Sequence, residues 1–366
     1  MPALHDEVTL KPLCSGASPS QTTLVFFIPG NPGLISYYDD FLSHLADLLG
    51  SKRPKRKSGT ESTKYMVYGA SMAGFDLHPG RSSRRAIKTT SHVPPLNLDE
   101  QVDDVYARLD LVTRQLNETG DDISIILIGH SIGAYIAMQV VQRWQNTSHL
   151  SLLGSRIISS IGLFPTIYEL AQSPTGQKVG PLTKIPGFAF AVQCLAKLLF
   201  SLVPISLVTM LVGLITGMSH EPATVTAEFV KSPHGVRQAL HMAKDELAQL
   251  THDQWDDDFW QGRAARALSK PAAGVSEPVA GDDETPHTQL YLYWGADDHW
   301  IANTTRDNII AKRAQTVSDP ESAGKPIMEI DKHGIPHAFC LKQTHSRLTA
   351  AKCAEWILDV EERRHA

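Results

Sequence analysis

An α/β fold with a mostly parallel central sheet is what this sequence predicts, and three observations lead there. Short apolar or β-branched runs recur at 24–28 (LVFFI), 65–70 (YMVYGA), 123–128 (ISIILI), 157–164 (IISSIGLF), 289–294 (QLYLYW) and 326–330 (PIMEI). Most are continuously apolar rather than alternating, as strands buried on both faces are. Helical patterns lie between several of them, and alternating strand and helix gives a sheet with right-handed crossovers. At 366 residues the chain can form one large domain, or one domain with an insert.

The first run is followed by a Gly/Pro-rich loop, LVFFIPGNPG at 24–33. Residues 51–64 (SKRPKRKSGTESTK) are basic and turn-rich, and read as a solvated loop in preference to a nuclear signal or an anionic-surface patch. The clearest helix covers 98–117, where Val102, Val105, Leu109, Val112 and Leu116 form one stripe. Asn97 with Glu100 three residues on predicts a capping box. Directly after 123–128 comes GHSIG at 129–133, then IGAYIAMQVVQRW, with Ile132, Ile136, Val140 and Trp144 at helical spacing. A Gly-x-Ser-x-Gly that ends a strand and opens a helix reads as a nucleophile elbow. Small residues at Gly129 and Gly133 permit a sharp turn that lifts the Ser131 hydroxyl clear of the backbone.

Residues 166–269 are too long for a connection and predict an inserted helical region between core segments 1–165 and 289–366. Within it, 198–218 holds 21 consecutive uncharged residues, enough for a helix of about 30 Å, but Pro204 should split it. Gln193, Lys197 and Ser201 would make a narrow polar stripe upstream. Ser206, Thr209, Gly213 and Thr216 would make a small-residue face downstream. Residues 187–218 therefore read as two helices hinged at Pro204 and lying in or dipping into a lipid surface. The competing reading is a pair of buried helices in a lid. Residues 270–288 are poor in large apolar groups and read as a disordered loop.

A serine hydroxyl needs a base, and the base needs an orienting acid. In folds of this type the order is Ser, acid, His. The strand 289–294 is followed by Asp297 and Asp298, and the strand 326–330 by His333 and His337, so two acids and two bases remain in play. An oxyanion hole needs two backbone N–H groups. Ile132 follows the nucleophile, and in the 24–33 loop Pro32 has no N–H, so Asn31 or Gly30 must donate, with Asn31 favoured. Such chemistry needs no metal or cofactor.

The net charge of −5 gives nothing that favours nucleic acid. The four cysteines (Cys14, Cys194, Cys340, Cys353) form no C-x-x-C and suggest free thiols in a reduced compartment. Residues 1–20 lack a signal-peptide pattern, so the sequons at Asn117, Asn146 and Asn303 read as chance.

Together these segments resemble the lipid droplet-associated hydrolase family, a branch of the α/β-hydrolases. The matching pieces are IPGNPG (28–33), YYDDF (37–41), IGHSIGAY (128–135), LFPTIYELAQSPTG (163–176), YWGADDHW (293–300) and IPHAF (335–339), in family order over nearly the whole chain. The resemblance implies an α/β-hydrolase fold, association with lipid droplets or endoplasmic reticulum on the cytosol-facing side, and hydrolysis of a lipid ester. It matches Ser131 to the nucleophile, Asp298 to the acid and His337 to the base. Two departures stand out. A family His-Ala-Gly-His stretch is here Met72, Ala73, Gly74, Phe75, and His299 stands where the residue after the acid is often Pro. The expected function is a serine carboxylic-ester hydrolase acting on neutral lipid or sterol esters at a droplet surface. The alternative is a droplet or membrane-contact organiser with weak or no activity.

Overall fold

The apolar runs become strands because each is buried on both sides. In the strand Gln21–Ile28 (β2), Leu24, Phe26 and Ile28 enter one core while Val25 and Phe27 enter the other. In Asp122–His130 (β4), Ile125 and Leu127 face the first core, and Ile126 and Ile128 the second. Alternation across the pleat therefore hides a run with no polar members. The computed structural model describes residues 4–11, 21–51, 63–77, 93–118, 122–146, 155–262, 287–316 and 324–364. Most of the 51–64 and 270–288 loops, Cys14, and the last residues of the Asn117 and Asn146 sequons lie outside the described residues.

With Glu7–Leu10 (β1), Lys64–Ala70 (β3), Arg156–Leu163 (β5), Gln289–Trp294 (β6) and Ile327–Ile330 (β7), these strands form one sheet ordered β1-β3-β2-β4-β5-β6-β7. All pairings are parallel except β1 with β3. The six expected strands form, 289–294 with the expected bounds and the other five displaced by one to three residues at an end. The short antiparallel edge strand β1 is additional, and its four residues carry no sustained apolar pattern.

Helices cover both faces. On one side lie α1 (Asp39–Ser51) and, from the far end of the chain, α11 (Gln343–Arg364). On the other lie α2 (Leu98–Asn117) and α3 (Ile132–Asn146). The capping box forms as expected. The Glu100 N–H donates to Asn97 Oδ1 at 2.9 Å, and the Asn97 N–H donates to Glu100 Oε2 at 2.8 Å.

Among the described residues, six α-helices stand between β5 and β6: α4 (Pro174–Thr183), α5 (Phe188–Phe200), α6 (Ile205–Thr216), α7 (His220–Lys231), α8 (Gly235–Gln249) and α9 (Asp257–Trp260). Pro204 is the N-cap of α6, so the uncharged stretch breaks where the imino acid removes a donor. Among the described residues no single helix is long and apolar enough to cross a membrane. Lys231 clasps the break, its Nζ donating to the carbonyl oxygens of Phe200, Ser201 and Val203.

The polar marks on these helices point differently from the sequence reading. Gln193 is buried against α8, donating to the Ser232 carbonyl and accepting the Arg237 N–H. On α6, Thr209 is buried, and Gly213 faces Met218 and Ala223 at the start of α7, while Ser206 and Thr216 are exposed. Part of each polar face thus packs on the protein's own helices, and the apolar face is left outside. Leu198, Leu202, Leu214 and Ile215 are 79%, 95%, 80% and 81% exposed.

The core depends on one close approach. A Cβ on Gly133 would lie 2.4 Å from the Ile28 carbonyl oxygen, and one on Gly129 would lie 2.2 Å from the Gly133 carbonyl oxygen. Backbone meets backbone there, so nothing can rotate aside. Gly133→Ala is expected to cost at least about 2 kcal/mol of stability through overpacking. Urea unfolding of the variant against the parent measures it, and an unchanged midpoint would refute the close-contact argument.

Candidate active site

Ser131 sits between β4 and α3 with φ of 55°, in the left-handed region that an L-residue occupies only under constraint. The constraint is visible: its N–H donates to the Leu163 carbonyl at 2.9 Å, and its carbonyl accepts from Ala134 at 3.0 Å and Thr166 at 3.3 Å. Its Oγ is 2.8 Å from His337 Nε2, and His337 Nδ1 is 2.7 Å from Asp298 Oδ2. The other Asp298 oxygen accepts the Trp300 N–H at 2.8 Å.

Of the paired candidates, the structure brings one of each together. Asp298 is 3% exposed, whereas Asp297 and His333 point to solvent. Burial works to raise the Asp298 carboxyl, but the hydrogen bond and charge of His337, with the Trp300 N–H, outweigh it and hold the carboxyl below its usual range. It is therefore an anion that accepts the Nδ1 proton, leaving Nε2 to face Ser131.

Two residues that the sequence reading gave no role shape these loops. Asp331, just past β7, accepts N–H groups of His333 (3.1 Å) and Ile335 (2.7 Å) and the Tyr293 hydroxyl (2.7 Å), so it folds the turn that carries His337. Arg306, on α10 (Asn303–Arg313), donates from Nη1 to the Gly295 and Ala296 carbonyls at 2.9 and 2.7 Å and braces the turn that carries Asp298. An Asp just past a strand was the readable signal for the first. Nothing local marks the second.

On the 24–33 loop, the Gly30 N–H donates to the Tyr38 hydroxyl at 3.0 Å, which takes Gly30 out of the pair of oxyanion candidates. Asn31 is tied to the inserted helices. Its Nδ2 donates to the Ala239 carbonyl at 3.0 Å and to Glu246 Oε1 at 2.9 Å, both on α8. The same helix holds the 93–98 segment. Gln238, fully buried, pairs with both the N–H and the carbonyl of Leu96, and Asp245 accepts the Leu98 N–H. The Met72-Ala73-Gly74-Phe75 segment borders this contact, since a Cβ on Gly74 would meet the Gln238 amide oxygen at 2.6 Å. His299 lies beside the base, with ring centroids 6.0 Å apart.

A serine, an imidazole and a carboxylate are thus joined at the carboxyl ends of parallel strands. A model of the lipid-droplet associated hydrolases matches residues 21–340. The chain belongs to that family. A lipid droplet-associated hydrolase of Mus musculus is 23% identical over 338 residues, covering 91% of this chain and 84% of the mouse protein. That of Gallus gallus is 25% identical over 343 residues, covering 92% and 85%. Among solved structures, a peroxisomal α/β-hydrolase from Saccharomyces cerevisiae superposes with a TM-score of 0.51 at 11% identity, covering 96% of this chain and 89% of that one. The chain therefore has the α/β-hydrolase fold.

Glu246 gives the site a pH-dependent seam. Burial pushes its carboxyl up to about 8; the bond from Asn31 acts against this and nearby Asp245 adds to it. Between the ordinary value of 4.5 and about 8 the folded chain holds a proton that the unfolded chain releases. Stability from this group is full below that window and falls as pH rises through it. Glu246→Gln keeps a neutral amide there and removes the dependence. The melting temperature of the parent should fall relative to the variant between about pH 5 and about pH 8. Parallel curves would remove the buried-carboxyl argument.

Proposed function

We propose that this chain is a serine ester hydrolase that acts on neutral lipid or sterol esters at a lipid-droplet surface. The observation that carries the reading is the continuous contact from Ser131 Oγ through the His337 ring to Asp298, at 2.8 and 2.7 Å. Family membership supports hydrolysis, and the names of the relatives support the droplet.

In this reading His337 Nε2 takes the Ser131 proton as Oγ attacks the ester carbonyl carbon. Asp298 holds the Nδ1–H and stabilises the imidazolium. The carbonyl oxygen becomes an oxyanion received by the N–H groups of Ile132 and Asn31. Collapse of this intermediate breaks the bond to the alcohol oxygen, which takes the proton from His337 Nε2. A water then gives its proton to His337 and attacks the acyl-enzyme. The second intermediate releases the carboxylic acid and returns the proton to Ser131.

The droplet or endoplasmic-reticulum surface would meet residues 187–218. Contiguous apolar side chains on α5 and α6 lie in water at a cost that immersion in lipid removes. No charged residue interrupts 198–218, and the break at Pro204 lets both helices lie flat instead of spanning.

Two experiments test these parts separately. A fluorophosphonate probe is expected to label the parent and to fail with Ser131→Ala and His337→Ala. Folded parent protein that stays unlabelled, with a triacylglycerol emulsion present, would sink the enzyme reading and leave the organiser. For the surface, the triple substitution Leu198→Asp, Leu202→Asp, Leu214→Asp should retain probe labelling but lose flotation with emulsion droplets. Undiminished flotation would move the lipid contact elsewhere on the molecule.

A further inference from the structure

We infer that Tyr38 and His130 are positioning residues, forming a hydrogen-bonded strut that holds the oxyanion loop and the loop of the base at a fixed separation on either side of Ser131. The inference rests on the serine-hydrolase reading and deepens it. It gives a role to the second tyrosine of YYDDF and to the histidine of GHSIG.

Three contacts build the strut. The Gly30 N–H donates to the Tyr38 hydroxyl oxygen at 3.0 Å. That hydroxyl is 2.7 Å from His130 Nδ1. His130 Nε2 is 2.9 Å from the backbone carbonyl oxygen of His337. All are buried, so water does not compete for them.

The direction of every bond in this series is determined. The His337 carbonyl can only accept, so His130 Nε2 carries a proton. Burial, with the nearby His337 ring, drives the His130 imidazole down to about 3, so it is neutral and Nδ1 has no proton. Nδ1 must then accept, and burial keeps the Tyr38 phenol protonated to donate. The phenol oxygen in turn accepts from Gly30. The carbonyl acceptor sets the His130 tautomer, and the Tyr38 hydroxyl, which also has the Cys340 thiol within reach, donates to the Nδ1 that this tautomer leaves bare.

The two ends matter. Gly30 precedes Asn31, the proposed oxyanion donor, and the other end is the backbone of the base itself. The loop presses closely on the elbow, since a Cβ on Gly30 would fall 2.9 Å from His130 Nδ1 and 3.0 Å from Ser131 Cβ. The imidazole ring cannot turn freely, because Phe339 meets it edge-on at 5.0 Å and 85° and Phe164 at 6.3 Å and 77°. The hydrogen bonds of the His130 ring go to Tyr38 and to the His337 carbonyl, while Ser131 Oγ bonds to the His337 ring. The effect of His130 passes through the two loops.

Tyr38→Phe removes one oxygen and leaves the ring packing, so it tests the strut with little change of fold. With a chromogenic short-chain ester, kcat should fall about 10- to 100-fold while KM stays within about twofold, as for a misplaced catalytic group. His130→Gln can still donate to the His337 carbonyl, and His130→Asn can still accept from Tyr38. Each should retain more activity than His130→Leu, which does neither. Independently of activity, nitrogen NMR of the parent should show one histidine fixed in the Nε2–H tautomer between about pH 5 and about pH 9, absent from His130→Gln. Parent-like kcat in Tyr38→Phe, or a His130 that titrates or carries its proton on Nδ1, would overturn the strut. A parent that neither hydrolyses ester nor takes the probe would instead overturn the hydrolase reading, while the tautomer would still report whether the strut exists. If His130→Leu does not fold, Tyr38→Phe and the tautomer decide.

Discussion

The packing of α3 against the ends of β2 and β4 is the constraint on which the rest depends. Two side-chain-free residues, Gly129 and Gly133, allow backbone to touch backbone, and the turn between them forces Ser131 to a positive φ. Such strain persists only where surrounding bonds over-determine it. Here those bonds are the Leu163, Ala134 and Thr166 contacts, which draw on β5, α3 and the start of the inserted region. The position of one oxygen atom is therefore a property of the whole sheet. Acid and base come to it on turns with their own braces, Arg306 for one and Asp331 for the other.

Much of this was legible in the sequence. Uninterrupted apolar runs gave the strands, because a sheet covered on both faces needs no polar members, and GHSIG gave the elbow. The choices between Asp297 and Asp298 and between His333 and His337 were not legible from spacing. Each pair falls on one turn after one strand, and which member points inward depends on a path set by the Trp300 N–H and by Asp331. The family resemblance selected the members that the structure brings together. Periodicity likewise found the special face of α5, but not its direction. Gln193 turns inward because Ser232, at the end of α7, offers it a carbonyl and Arg237 of α8 an N–H, both some 40 residues away in the chain. The contribution of Arg306 had no sequence signal, since a lone arginine on an amphipathic helix is ordinarily a solvated one.

The inserted helices divide into two working parts. The inner part is α8, which grips the body through Gln238, Asp245 and Glu246 at positions that frame the 24–33 loop, the proposed oxyanion loop. Tyr37 adds a tie from that loop's far side to α7 through the Thr226 hydroxyl at 2.8 Å. Adjacent tyrosines thus look opposite ways, Tyr38 into the core of the site and Tyr37 to the helices above it. The outer part is the hairpin of α5 and α6, which is held at its bend by Lys231 and turns its apolar side away from the protein.

This division has a consequence for how such a protein can change over generations. Leu198, Leu202, Leu214 and Ile215 project outward, while the contacts that frame the oxyanion loop come from α7 and α8. If the hairpin meets lipid as proposed, substitutions among these outward side chains that retune it to a different lipid layer leave the framing contacts untouched. The residues that grip the body have no such latitude. Under the proposed function, address and reaction can drift at separate rates within one insert, provided that inward-facing residues of the hairpin such as Gln193 keep their partners.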